Sequence, residues 1–352
     1  MEPLRVGVVG LGAIGTIFFT HLARLAGVQT GFSVHALVKE RHLKQVQDQK
    51  RVLLGDAQAN EDAAIAIDLE TSARGSLVAQ NDASVQISTL ESMDECPLDV
   101  VLVALKAYDS ARTLQELKVS HSHRFRDDAL FVLLQNGLVS LPDEVVTDSR
   151  WQFAHGVTYV GGRVESLGHV VGSGVASGMT YLAPICSEDG EPKLSKLNEL
   201  LVASGLQSQL LSRQAMQTMV WKKLIVNAAI NPIASVLNTT NGALATNEWS
   251  QECVRAIVHE AYEVAQQEGV DLHCTEEEMV GQVLATAVNT STNVCSMLAD
   301  LRRGARTEID AITGQIVRLG SVHGIATPTN AFVLSLIKAM ESNKHATHLQ
   351  GL

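Results

Sequence analysis

The sequence predicts an α/β protein: a doubly wound sheet within residues 1–213, an all-helical domain over residues 214–345, and a flexible tail at 346–352. Three observations predict it. A β-branched run, Val6 to Val9, leads directly into Gly10-x-Gly12-x-x-Gly15 and then an amphipathic stretch, "TIFFTHLARLA". Two further apolar runs, "DVVLVALK" and "DALFVLLQNG", read as buried strands. From about Gln214 strands give way to long helical periodicity, so a boundary near Arg213 is natural. At 352 residues the chain is long for one core, and two domains leave room for a cleft.

Composition narrows the function. With 46% hydrophobic and 18% charged residues the chain is globular rather than disordered. Its 27 basic residues face 38 acidic ones, a formal charge of -11, which repels nucleic acid and anionic membrane. An anionic ligand must therefore be met by local basic groups. Cys96, Cys186, Cys253, Cys274 and Cys295 are scattered, with no Cys-x-x-Cys pair and no clustered histidine, so no metal site and a reduced, cytoplasmic protein are expected. The amino-terminal run "MEPLRVGVVGLGAIGTIFF" is broken by four glycines, unlike a signal sequence. No run reaches the roughly 20 apolar residues of a membrane span.

The glycine motif is strand, tight turn and helix. In a Rossmann-type dinucleotide site the first glycine permits the turn, the second lets backbone approach the pyrophosphate, and the third lets helix and strand pack closely. The expected cofactor segment is thus Gly10, Leu11, Gly12, Ala13, Ile14 and Gly15. The triplet alone fits a plain turn equally well; the strand before it and the helix after it favour the dinucleotide. The second strand, "FSVHALV", ends at Val38, where an NAD site would place an acidic residue. Lys39 stands there instead, with Arg41 and Lys44 close by, which suits the 2′-phosphate of NADP(H). Glu40 complicates that reading, and an exposed charged helix start is the plainer one.

Residues 51–97 carry no expected chemistry, although "GSLVAQNDASVQISTL" resembles two strands about an Asn-Asp turn. The next two strands end near Lys106 and Asn136, where an open α/β sheet gathers its ligands. A snorkelling lysine and a simple Asn-Gly turn are the bland alternatives. "HGVTYVGGRVESLGHVVGSGVASGMTYLAP" looks like antiparallel hairpins closing the first domain, with His155 and His169 structural or exposed.

In the second half, "WKKLIVNAAINPI" sets Lys223, Asn227 and Asn231 four residues apart in an apolar segment. Each is rotated about 40° from the last, so all three share one helix face. Unpartnered polar groups there are costly, which points to a ligand. Pro232 is expected to kink or break this helix. Further helices are read in "EWSQECVRAIVHEAYEVAQQEG", "STNVCSMLADLRRG", "TEIDAITGQIVRLGSVHG" and "TNAFVLSLIKAME". Gly304 is expected to end the second of these, and Thr307 to cap a new helix with Glu308 in its first turn. That alone makes Glu308 no more than a good helix start.

Taken together, "VGVVGLGAIGT", "LVALKA", "LLQNGL", "WKKLIVNAAINPI", "TNGAL", "SMLADLRRGARTEIDAITGQIV" and "HGIATPTN" resemble the 2-dehydropantoate 2-reductase, or ketopantoate reductase, family over nearly the whole chain. The resemblance implies an NADPH-binding Rossmann-type domain joined to an all-helical domain, with ketopantoate held between them. It implies Lys223 as general acid and Glu308 as the carboxylate that orients substrate and cofactor. Asn136, Asn227, Asn231, Asn241 and Ser296 are the implied substrate contacts, with Asn136 and Lys106 also near the nicotinamide. Lys39 falls where the family commonly has arginine, which keeps the charge and loses the guanidinium fork. The chemistry agrees: hydride addition places negative charge on the ketone oxygen, which a positioned ammonium stabilises and protonates. The expected partner is a small 2-keto acid, with no nucleic acid and no membrane, and a homodimer is compatible with the sequence. Another 2-keto acid under the same chemistry, or a protein that senses NADP(H) without turnover, are the alternatives.

Overall fold

The structure is a computed structural model that describes residues 3–56, 64–80, 82–93, 96–138, 141–142, 145–146, 150–185 and 190–343. The chain divides into two compact units, one of Met1–Gln135 with Ser140–Met216, the other of Asn136–Val139 with Gln217–Leu352. The tail at 346–352 lies outside the described residues.

In the first unit β1 (Leu4–Val9) leads through the glycine turn into α1 (Ala13–Ala26), then β2 (Phe32–Leu37) and α2 (Glu40–Gln49). Next come β3 (Arg51–Asp56), β4 (Ile65–Thr71), β5 (Leu77–Ala79) and β6 (Asp82–Ser88). The chain continues through β7 (Leu98–Val103), α3 (Ala107–Ser120) and β8 (Phe125–Leu133). It goes on through β9 (Gln152–Thr158), β10 (Gly161–Ser166), β11 (His169–Ser173), β12 (Met179–Pro184), α4 (Glu191–Ala203) and β13 (Gln207–Leu210).

The strands hydrogen-bond in the order β10-β11-β3-β4-β5-β6-β2-β1-β7-β8-β9-β12-β13, and from β6 to β9 every neighbour is parallel. From β1 the chain first builds outward through β2 and β6, then returns to add β7, β8 and β9 on the opposite side. That reversal between β1 and β7 is the switch point of a doubly wound sheet, as expected. Parallel strands covered on both faces must be apolar almost throughout, and Val6, Val8, Val34, Val100, Leu102, Leu130 and Val132 are all buried. Phe125, Phe131, Trp151 and Phe153 form an aromatic cluster, with the Lys118 ammonium 5.4 Å from the Trp151 ring centre.

The expected hairpins are present, as β10 pairs antiparallel with β11 and β12 with β9. They do not close the unit, because α4 and β13 follow them. Strand β11 also pairs in parallel with β3, more than a hundred residues away in the chain and therefore invisible to any local pattern.

The second unit is helical: α5 (Arg213–Val236), whose first turn belongs to the first unit, α6 (Gly242–Thr246), α7 (Glu248–Gln267), α8 (Glu276–Asn289), α9 (Ser296–Arg302), α10 (Thr313–His323) and α11 (Pro328–Ser342). The expected break at Pro232 does not occur, and α5 runs on to Val236. Proline forfeits the bond to the Ala228 carbonyl, but Ala228, Ala229, Ile230, Ile233 and Ala234 are all buried around it. Packing on both sides outweighs one lost hydrogen bond. Helix α8 escaped the sequence reading although Thr275 and Glu278 form a reciprocal capping box, a signal that the Thr-x-x-Glu spacing carried. Helix α9 starts only at Ser296, because Cys295 caps it through its sulfur, which accepts from the Leu298 amide at 3.4 Å.

Candidate functional site

In the first unit, β2, β1 and β7 lie side by side and end at one edge. Gly10 follows β1, Lys39 follows β2, and Lys106 follows β7. Gly10 has φ +94°, and its amide donates to the Leu37 carbonyl at 3.0 Å. A Cβ on Gly15 would lie 1.8 Å from the Gly10 carbonyl oxygen, so only glycine lets α1 start this close to β1. A Cβ on Gly12 would meet nothing within 4 Å. Gly12 is also the N-cap of α1, no side chain caps the helix, and its first turn holds no acidic residue. The turn is thus open at the end where a helix offers amides and partial positive charge to an anion. The Cβ-free cradle fits a dinucleotide pyrophosphate.

Lys39 is the N-cap residue of α2 and is exposed, two residues beyond the true end of β2 at Leu37. His42 reports the local field: burial, then the charges of Arg41 and Lys39, hold its pKa below the usual histidine value. Lys106 is the N-cap residue of α3, where its carbonyl accepts from the Ser110 hydroxyl at 3.1 Å and the Asp109 amide at 2.9 Å. His155 lies in β9, where burial lowers its pKa to about 4, and His169 opens β11.

The second unit gathers most of the other candidates. Lys223, Asn227 and Asn231 lie on α5. Burial pulls the Lys223 pKa down to about 8, and the charge of Glu308 opposes that fall. Glu308 is buried, 7% exposed, and its Oε2 accepts a hydrogen bond from Asn136 Nδ2 at 3.2 Å across 172 residues of sequence. Asn136 stands three residues past the end of β8, in the short segment that belongs to the second unit. The next residue holds it there. Gly137 has φ +86°, a Cβ on it would lie 2.2 Å from the Ala311 carbonyl oxygen, and the Leu138 amide donates to that same oxygen at 3.0 Å. The Asn-Gly pair therefore does more than turn the chain: it seats Asn136 against the segment carrying Glu308.

The helix expected to start at Thr307 starts at Thr313 instead. Glu308 sits in an irregular turn whose carbonyl accepts from the Ala311 and Ile312 amides at 3.0 and 3.1 Å. Thr307 does receive the Ile309 amide at 3.2 Å, but its own amide and hydroxyl donate to Glu341, which draws the chain away from a helical start. Asn231 is buried and its carbonyl accepts from Ser235 Oγ at 2.7 Å and Cys295 Sγ at 3.5 Å, bringing the residue before Ser296 onto α5. Ser296 itself is exposed at the first position of α9. Asn241 is buried before α6, with Nδ2 donating to Thr290 Oγ1 at 2.9 Å, while its Oδ1 has no partner among the described residues.

Among the described residues no group of three or more His, Cys, Asp or Glu could hold a metal ion, and no helix is long and apolar enough to cross a membrane.

Two family models match this chain: residues 6–185 match the one described as ketopantoate reductase PanE/ApbA, and residues 215–341 its C-terminal counterpart. A 2-dehydropantoate 2-reductase of Archaeoglobus fulgidus is 31% identical over 245 residues, covering 69% of this chain and 77% of the relative. This chain belongs to the ketopantoate reductase PanE/ApbA family. Membership places it among the oxidoreductases. Solved structures share the fold. A PanE/ApbA family ketopantoate reductase from Ralstonia eutropha aligns with TM-score 0.75 at 23% identity, covering 97% of this chain and 100% of that one. D-mandelate dehydrogenase with NADH and anilino(oxo)acetate aligns with TM-score 0.74 at 22% identity, covering 96% and 99%.

Proposed function

We propose that this family member reduces ketopantoate to pantoate with NADPH, as a step of pantothenate biosynthesis, and that Lys223 is its general acid. The observation that carries the reading is a lysine whose pKa burial has brought to about 8, held up by a buried carboxylate, Glu308. A surface ammonium near 10.4 gives up its proton reluctantly; one near 8 is still charged at neutral pH and is a stronger acid.

A bound reduced nicotinamide supplies the hydride that adds to the keto carbon. The chain supplies the rest. As charge gathers on the ketone oxygen, the Lys223 ammonium stabilises it and then donates a proton to it, leaving a neutral amine. Glu308 keeps the ammonium charged until that moment, and Asn136 orients Glu308. The carboxamides of Asn227 and Asn231, set at four-residue steps from Lys223 along α5, suit the substrate carboxylate without adding a second cation. The unpartnered Asn241 Oδ1 is an acceptor for the substrate hydroxyl, and Ser296 adds a hydroxyl on the neighbouring helix. In the first unit the Gly10–Gly15 turn takes the pyrophosphate, Lys39 the 2′-phosphate and Lys106 the nicotinamide; in the second, Asn136 is assigned to the nicotinamide as well as to the substrate. A reducing, cytoplasmic setting goes with this reading, as the scattered cysteines of the sequence suggest.

The test is NADPH oxidation with ketopantoate against pyruvate and 2-oxoisovalerate, for the wild type and Lys223→Ala. Selective turnover of ketopantoate that falls by roughly 10²-fold or more in the variant is expected. Turnover of another keto acid alone would remove the substrate assignment; no turnover despite NADPH binding would favour a sensor.

A further inference from the structure

Glu308 lies in a stretch that no helical ladder holds, since α9 ends at Arg302 and α10 starts at Thr313. What fixes it comes from the last helix. The Glu341 carboxylate on α11, 11% exposed, accepts hydrogen bonds from the amide and the hydroxyl of Thr307, each at 2.7 Å. The Thr307 oxygen in turn accepts from the Ile309 amide at 3.2 Å. The peptide groups on both sides of Glu308 are therefore tied, directly or through one hydroxyl, to a single carboxylate oxygen. Thr307 and Ile309 are both fully buried, so water cannot replace these bonds. The other Glu341 oxygen lies 3.6 Å from the Lys338 ammonium, which bonds Asp310 at 2.8 Å, and Asp310 takes Arg306 at 3.0 Å. Hydrogen bonds to a charged acceptor are the strong ones, and here they stand where a regular helix would have supplied its own.

We infer that Glu341 is a positioning residue for the reaction: it clamps the Thr307–Ile309 backbone so that the Glu308 carboxylate keeps its place beside Lys223. The inference rests on Lys223 and Glu308 acting as described above. Glu341 touches neither substrate nor cofactor in this scheme. When the clamp is lost, Glu308 drifts, its support of the Lys223 charge weakens, and the acid loses its proton at a lower pH.

The experiment is the pH profile of kcat/KM for ketopantoate in wild type, Glu341→Ala and Glu341→Gln, with melting temperature and NADPH affinity measured alongside. Expected for Glu341→Ala are a loss of roughly tenfold or more in kcat, since small misplacements of a reacting group cost that much or more, a descending limb moved to lower pH, and unchanged NADPH affinity. Glu341→Gln keeps an oxygen acceptor and should recover most of the wild-type profile. A folded Glu341→Ala whose limb stays in place, even with kcat reduced equally at every pH, overturns the inference. If that variant does not fold, Thr307→Ala removes the hydroxyl relay alone and should move the limb the same way; an unmoved limb overturns the inference there too. Glu308→Gln and Lys223→Ala are run beside these. If those two retain full turnover, the reading beneath the inference fails with it; if they are impaired and the clamp variants are silent, only the clamp fails.

Discussion

The Gly10–Gly15 turn and the Glu308 turn both belong to the proposed site, and they are built in opposite ways. The first works by omission: three glycines leave backbone bare, and the closest contact, Gly15 on the Gly10 carbonyl, spans five residues. The second works by convergence: Asn136 and Lys223 act on Glu308 and Glu341 holds its neighbour Thr307, from three remote parts of the sequence. A site made by omission is sensitive to any added atom. A site made by convergence is sensitive to the loss of whichever group holds it.

The largest test of that contrast lies inside the glycine turn. Gly15→Ala forces a methyl into a backbone carbonyl and should cost on the order of 3 kcal/mol of stability together with dinucleotide binding, seen by thermal unfolding and NADPH titration. Gly12→Ala, with open space around it, should cost about 1 kcal/mol or less yet weaken NADPH binding by roughly tenfold. Equal losses of stability in the two variants would break the account of the turn.

Gly137→Ala carries the same argument into the convergent site. Its left-handed backbone and its approach to Ala311 predict a loss of about 2 kcal/mol or more. The kinetic loss should appear chiefly in kcat, because Asn136 leaves Glu308, with a smaller loss of NADPH affinity from the same displacement. A variant with wild-type kcat would mean that Asn136 does not orient Glu308.

The next effect is one of pH. As the proposed general acid, Lys223 would have to be protonated, so kcat/KM should fall as pH rises through about 8 and then drop about tenfold per unit, while NADPH binding stays flat. The sign for stability runs the other way. The folded pKa lies below the unfolded one, so the unfolded chain binds more protons between them, and Lys223 adds stability as pH climbs above 8. A profile that rises through this window would assign the acid elsewhere.

The smallest effect is expected at Lys39, an exposed cation beside Arg41. Lys39→Ala should weaken NADPH by about tenfold or less, leave NADH unchanged, and matter less at high salt. Equal weakening of both cofactors would take the 2′-phosphate away from this residue.

What the sequence by itself determined is what depends on near neighbours. The strand–glycine–helix unit, the apolar parallel strands and the shared face of Lys223, Asn227 and Asn231 follow from spacing, because period and turn chemistry act within a few residues. It also carried signals that went unread, the capping box of α8 above all. What only the tertiary structure decided is where distant segments meet. The pairing of β11 with β3, the unbroken helix through Pro232, the seating of Asn136 and the late start of α10 each turn on contacts between segments far apart in the chain. At each of these places burial and hydrogen bonds to remote partners outweigh the local preference, and the remote partner cannot be named from the residues on either side.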